Sequence, residues 1–156
     1  ILDKITFIIP ENFNDLHNIV FNLELLILKN LNITKNHYNL IIIDSLTDLY
    51  RLELNREEKD KNYNLNYYLN HILAVLSYLS DSYNINILII NEKVQIRDNN
   101  QPTEIQSGGK VMEYWISLDI KIERTKILKN RKITLTKHPE NKQLTFMSIL
   151  TENGFQ

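Results

Sequence analysis

The chain has 156 residues, of which 24% are charged and 43% hydrophobic, and a formal net charge of −1. That is ordinary globular usage, with enough chain for one domain and a sizeable core. The charge excludes a global basic field for nucleic acid, though not local basic loops, and the absence of cysteine excludes disulfides and thiolate chemistry. Apolar runs fall short of a membrane span and no secretory pattern is visible, so the expectation is a cytoplasmic protein with no membrane partner.

Lys4 to Ile9 reads as a short strand stopped by Pro10, which cannot donate to a ladder. Asn12 is placed to cap a helix, with Asp15 three residues on. Phe13, Leu16, Val20, Leu23 and Ile27 follow at alternating spacings of three and four, predicting one helix face that ends near Lys29-Asn30. His17 lies beside that face. Nothing in the sequence places a second histidine or carboxylate with it, so it reads as a boundary residue.

The stretch Asn39-Leu40-Ile41-Ile42-Ile43-Asp44-Ser45 reads as a strand buried on both faces of a parallel sheet. Strand, helix, strand predicts a parallel pair formed by residues 4–9 and 39–44. A carboxylate at the C-terminal end of such a strand lies where open α/β sheets bind ligands. The charged run from Glu53 to Asn62 has no apolar period and reads as a solvated, mobile loop or a frayed helix end. Leu65, Leu69, Ile72, Leu76, Leu79 and Tyr83 predict a second helix, and Ile85 to Ile90 a second buried strand ending in Asn91-Glu92. Lys93 to Lys110 is polar, contains Pro102 and the Gly108-Gly109 pair, and reads as a long structureless loop, functional or disordered. A helical turn over Val111 to Trp115 is expected. Residues 117–124, 131–137 and 144–150 alternate in polarity, predicting an antiparallel meander.

These elements resemble a RecA-like P-loop NTPase core. The resemblance implies an α/β fold, with a parallel sheet carrying helices on both faces and an antiparallel β extension at the C-terminal end. It rests on more than layout. "NLIIIDSLTDLYR" (Asn39 to Arg51) resembles a Walker B segment of the RecA/RadA recombinase family. "ILIINEKV" (Ile87 to Val94) is similar to its next core strand, "GGKVMEYW" (Gly108 to Trp115) to the close of its second DNA-binding loop, and "LTKHPENKQLTFMSILTENGF" to its final hairpin. The Glu-Tyr-Trp after the glycine pair points to the archaeal RadB-like branch.

The resemblance implies roles for particular residues. Asp44 would be the Walker B carboxylate supporting Mg²⁺, with Ser45 beside the γ-phosphate and Glu92 at the position that senses it. Arg51 would open the first DNA-binding loop, running from about Leu52 to Asn62. Arg97, Gly108, Gly109 and Lys110 would contact DNA from the second. Lys137, His138 and Pro139 would reach the nucleotide of a neighbouring subunit. ATP and Mg²⁺ are the implied cofactors of the whole protein. Single-stranded or junction DNA, a recombinase or Holliday-junction resolvase, and a second copy of the chain are the implied partners.

Two departures qualify this reading. The family's sensing residue is Gln, and Glu92 stands in its place; a carboxylate repels a phosphate unless a cation intervenes. No G-x-x-x-x-G-K-[ST] occurs anywhere. Gly108-Gly109-Lys110 lacks its spacing and its Ser/Thr, so no cradle for a triphosphate is encoded here. The expectation is a single RecA-like domain, residues 1–156, lacking the N-terminal P-loop strand and helix, inactive alone as an ATPase. Its function would be DNA binding as an accessory to repair and recombination. A non-enzymatic partner-docking module on the same scaffold is the alternative, and an ATPase of the KaiC type, without a DNA role, is disfavoured by the motifs.

Overall fold

The structure is a computed structural model that describes residues 4–35, 37–54, 57, 59–98 and 101–156. The chain divides into two compact units, Ile1–Trp115 and Ile116–Gln156.

The first unit is built on a parallel strand pair. β1 (Leu40–Asp44) runs beside β2 (Asn86–Ile90), in register from Leu40 opposite Asn86 to Asp44 opposite Ile90. The crossover between them is α2 (Leu46–Glu53) followed by α3 (Lys59–Tyr83). The expected parallel pairing of residues 4–9 with 39–44 is therefore corrected. Among the described residues β1 pairs with β2, and residues 5–9 carry no strand. They stand off β1 across an apolar cleft of about 930 Å³, shared with the α1 side chains Leu16, Val20, Leu23 and Ile27. Thr6 Oγ1 and the Tyr38 hydroxyl meet at 3.3 Å on that margin.

α1 (Phe13–Thr34) starts where the sequence places it. The Asn12 carboxamide oxygen accepts from the Asp15 amide at 2.9 Å, and the Asp15 carboxylate accepts from the Glu11 amide at 3.0 Å. A second contact fixes the same end: Glu53 of α2 accepts from the Phe13 amide at 2.8 Å. The helix outlasts its predicted end at Lys29-Asn30 because Leu31 prolongs the apolar stripe. The turn closes at Lys35, in the left-handed region with φ 58°. The stripe of α3 predicted from spacing is the buried one: Leu65, Leu69, Ile72, Leu76 and Leu79.

α1 and α3 pack together and cover one face of the strand pair. Ile27, Leu79 and Ile85 form a buried cluster, with Ile41 of β1 and Ile87 of β2 packed on it. The described residues of this unit leave the other face half-exposed. Leu40 (49% exposed), Ile42 (55%), Leu88 (48%) and Ile90 (43%) line it. The expectation of strands buried on both faces is thus corrected to strands buried on one.

Polar contacts also cross the α1–α3 interface. The Tyr78 and Tyr83 hydroxyls each donate to Glu24 Oε1 at 2.7 Å. That bond pushes the Tyr83 phenol up to about 12 and holds the Glu24 carboxyl below its ordinary value. His17 is not alone on its face: its Nε2 meets Nδ1 of His71 on α3 at 2.7 Å, with Tyr68 packed against its ring. Histidines on separate helices have no sequence spacing that could have paired them.

The polar segment 93–110 is not a structureless loop. β3 (Lys93–Asp98) and β4 (Gln101–Gln106) form an antiparallel hairpin, Lys93 opposite Gln106 through Asp98 opposite Gln101. α4 (Gly109–Trp115) follows, and its Trp115 indole donates to Asn70 Oδ1 of α3 at 2.8 Å. The predicted loop Leu52–Asn62 is likewise shortened. Arg51 to Glu53 belong to α2 and Lys59 onward to α3; Asn55, Arg56 and Glu58 lie outside the described residues.

The second unit is the predicted meander. β5 (Asp119–Arg124), β6 (Asn130–Lys137) and β7 (Leu144–Thr151) pair in sequence, and a two-residue strand, β8 (Gly154–Phe155), adds to β7. The register puts Ile120, Ile122, Ile133, Leu135, Leu144 and Phe146 on one face.

Two outcomes follow. Leu79→Ala removes a fully buried side chain and should cost roughly 2–5 kcal/mol in a urea unfolding experiment. The second concerns pH. Burial and the His71 imidazole hold His17 below the ordinary histidine value, so the folded state binds fewer protons than the unfolded state once pH falls to about 6.5. Stability from this group is present above that pH and lost as pH falls further. His17→Gln should therefore show a smaller drop in urea midpoint than the parent chain between about pH 7.5 and 5.5.

Candidate functional site

The carboxyl ends of β1 and β2 meet because the strands are parallel and in register, with Asp44 directly opposite Ile90. This puts Asp44-Ser45 and Asn91-Glu92 on the same edge of the first unit. Ser45 is the residue before α2, in extended backbone, and its side chain makes no capping bond. Its Oγ is buried and without a hydrogen-bond partner among the described residues. A buried hydroxyl in that condition is costly unless a ligand or solvent meets it. The Asp44 carboxylate beside it is exposed, and the Asp44–Ser45 peptide is cis.

Asn91 ties this edge together. Its Oδ1 accepts from the hydroxyl of Thr47, a fully buried residue in the first turn of α2. The same oxygen accepts from the Glu92 amide at 3.0 Å, while Nδ2 donates to the Ser107 carbonyl at 2.9 Å. The Ser107 amide returns a bond to the Glu92 carbonyl at 3.4 Å. One carboxamide thereby joins the Asp44-Ser45 corner, the end of β2 and the turn into α4. Neither Thr47 nor Ser107 stood out in the sequence. The Ser45-x-Thr47 spacing after a strand end, with Asn91 at the end of the next strand, was the available signal.

Gly108 and Gly109 follow Ser107 directly. Both have positive φ, 85° and 53°. A Cβ on Gly108 would lie 2.5 Å from Met112 Cγ and 3.1 Å from Leu69 Cδ2. The glycine is required both by its backbone and by the close packing of α4 on α3. Gly109 has open space around it, and Lys110 is exposed on the first turn of α4.

Arg51 also reaches this edge. From the last turn of α2 its Nη1 lies 3.3 Å from Glu92 Oε2. The cation that a carboxylate at position 92 calls for is thus present. Arg97 lies on β3 with its backbone opposite Pro102; its side chain falls outside what the structure describes. Lys137, His138 and Pro139 belong to the second unit, at the turn between β6 and β7. There the Glu140 amide donates to His138 Nδ1 at 3.1 Å and the Asn141 amide to the His138 carbonyl at 2.9 Å.

The residues present fit the implied cofactors only in part. Asp44 is a hard oxygen donor of the kind Mg²⁺ takes, and Ser45 Oγ awaits a polar partner. Among the described residues none forms a cradle for the triphosphate, and the sequence holds no phosphate-binding glycine loop with its lysine. Among the described residues no three His, Cys, Asp or Glu side chains converge as a metal site. No described helix is long and apolar enough to cross a membrane.

Comparison with known proteins gives the family. Residues 11–156 match the model of the Rad51 family. The chain is 35% identical over 113 residues to the DNA repair and recombination protein RadB of Methanocaldococcus jannaschii, covering 72% of the chain and 50% of that protein. The RadB of Methanococcus maripaludis is 38% identical over 120 residues (75% of the chain, 51% of that protein), and that of Methanosphaera stadtmanae 30% over 129 residues (83% and 51%). The chain spans about half the length of the curated relatives it matches. With a parallel pair ending in Asp-Ser and Asn-Glu, an antiparallel sheet after it, and the family match over nearly the whole chain, this chain belongs to the Rad51 family and is a RadB-like member of the RecA-type proteins.

Proposed function

We propose that this chain serves DNA repair and recombination as the DNA-contacting part of a RadB-like accessory protein, and that it carries the Mg²⁺ side of an ATP site. The observation that carries the reading is the Asn91 carboxamide. It connects the corner holding Asp44 and Ser45 to the Gly108-Gly109 turn and its Lys110. In that arrangement Asp44 supports Mg²⁺ through oxygen coordination and Ser45 Oγ meets a phosphate or water ligand. When bound, Mg²⁺ offsets charge developing on a transferred phosphoryl group. The phosphate cradle is not encoded in these 156 residues, so the chain alone does not turn over ATP. Glycine amides and Lys110 are the DNA-facing groups, since glycines let backbone approach phosphates and lysine neutralises them.

A second reading is supported by a separate observation. Each unit carries a half-exposed apolar sheet face: Leu40, Ile42, Leu88 and Ile90 in the first, Ile120, Ile122, Leu144 and Phe146 in the second. Such faces suit contact with a recombinase, a junction resolvase or a second copy of the chain.

Fluorescence anisotropy with labelled single-stranded DNA separates the two. Under the first reading the chain binds with an affinity that falls steeply with salt and is unchanged by Mg-ATP. Lys110→Ala weakens binding and reduces the salt slope by about 0.7, the value for one phosphate on a single strand. Asn91→Ala also weakens binding, because the turn preceding Gly108 loses its anchor. Absence of DNA binding at any salt would leave the docking reading in possession.

A further inference from the structure

We propose that Glu92 acts as an internal competitor for DNA phosphate, occupying the Arg51 guanidinium until a phosphate displaces it. This rests on the DNA-binding reading above and adds its regulation.

The argument starts from how differently the two ends of Glu92 are held. Its backbone is fixed twice: the amide donates to Asn91 Oδ1 at 3.0 Å, and the carbonyl accepts from the Ser107 amide at 3.4 Å. Among the described residues its carboxylate contacts Arg51, Oε2 to Nη1 at 3.3 Å, and the Glu92 and Arg51 side chains are 69% and 40% exposed. An exposed ion pair of this kind is weak and screened by salt. Such a contact forms readily and gives way readily.

Arg51 is the partner suited to exchange. Its guanidinium offers a planar fork of donors that matches a phosphate in two parallel bonds. The residue projects from the last turn of α2, a helix whose start is anchored by the buried Thr47 through Asn91. Asn91 is also the residue that holds the Glu92 amide and the Ser107 carbonyl. The base of the pair is therefore rigid and lies on the same anchor as the Gly108-Gly109 turn, while its tip faces water. A phosphate that approaches Lys110 and this turn meets an arginine already charged and already positioned, with a carboxylate as the group to be exchanged.

The exchange has a thermodynamic signature distinct from plain repulsion. If Glu92 merely repelled DNA, neutralising it would help whether or not Arg51 were present. As a competitor, it matters only through Arg51. The test is anisotropy titration of single-stranded DNA against the chain, Glu92→Gln, Arg51→Ala and the double variant, across a salt series, with circular dichroism to confirm the fold. Glu92→Gln should tighten binding about two- to fivefold at low salt, the range an exposed pair can withhold, and steepen the salt slope by about 0.7. In the Arg51→Ala background the same change should give no gain. Binding by the parent chain with an indifferent Glu92→Gln overturns the competitor and leaves the DNA reading standing. A gain that persists undiminished without Arg51 also overturns it, in favour of direct repulsion. No binding by either the parent chain or Glu92→Gln overturns the DNA reading and the competitor together.

Discussion

The parallel pairing of β1 with β2 is the constraint from which the rest of the first unit follows. Two parallel neighbours cannot be joined by a tight turn, so the chain must travel back along the sheet, and α2 with α3 is that return. Because both strands run the same way, both end at the same edge, and the polar residues after each strand are brought together. Asp44-Ser45 and Asn91-Glu92 are 46 residues apart or more in sequence and meet for this reason alone. The apolar alternation then decides which side is helical. Ile41 and Ile87 pack against α1 and α3, while Leu40, Ile42, Leu88 and Ile90 face away.

Much of the fold was legible because it rests on period. The stripes of α1 and α3 repeat at helical spacing, and the three long strands of the second unit alternate strictly. The cap at Asn12 was legible because it is local chemistry. What could not be read depends on which neighbours are present. Residues 4–9 have the composition of a strand, but a strand exists only where a ladder forms. The hairpin 93–106 was hidden by polarity. Its alternation is short, with Val94 and Ile96 opposite Ile105 and Thr103 in the backbone register, and lies among charged and amide residues that dilute it. Burial on one face rather than two could not be told from a continuous apolar run, since either environment accepts Ile and Leu.

The candidate site was legible in its parts and not in its wiring. Asp44, Ser45, Glu92 and the glycine pair were visible from motif resemblance, and the structure brings them to one edge. Their connections run through Thr47, Asn91 and Ser107, polar residues of common types with no pattern of their own. The Arg51–Glu92 contact joins residues 41 apart on separate elements, and no spacing rule predicts such a pair. His17 and His71 are a similar case, 54 residues apart and 2.7 Å from each other.

The end of α2 has a mechanical consequence. Arg51 reaches to Glu92 from the same helical turn in which Glu53 accepts the first amide of α1. Two adjacent contacts of opposite polarity thus moor this short helix on both sides, one to the end of β2 and one to the start of the longest helix–helix interface in the unit. The eight-residue helix therefore links the end of β2 to the amino terminus of α1 through side chains two residues apart, and an exchange of partner at Arg51 leaves the Glu53 link in place.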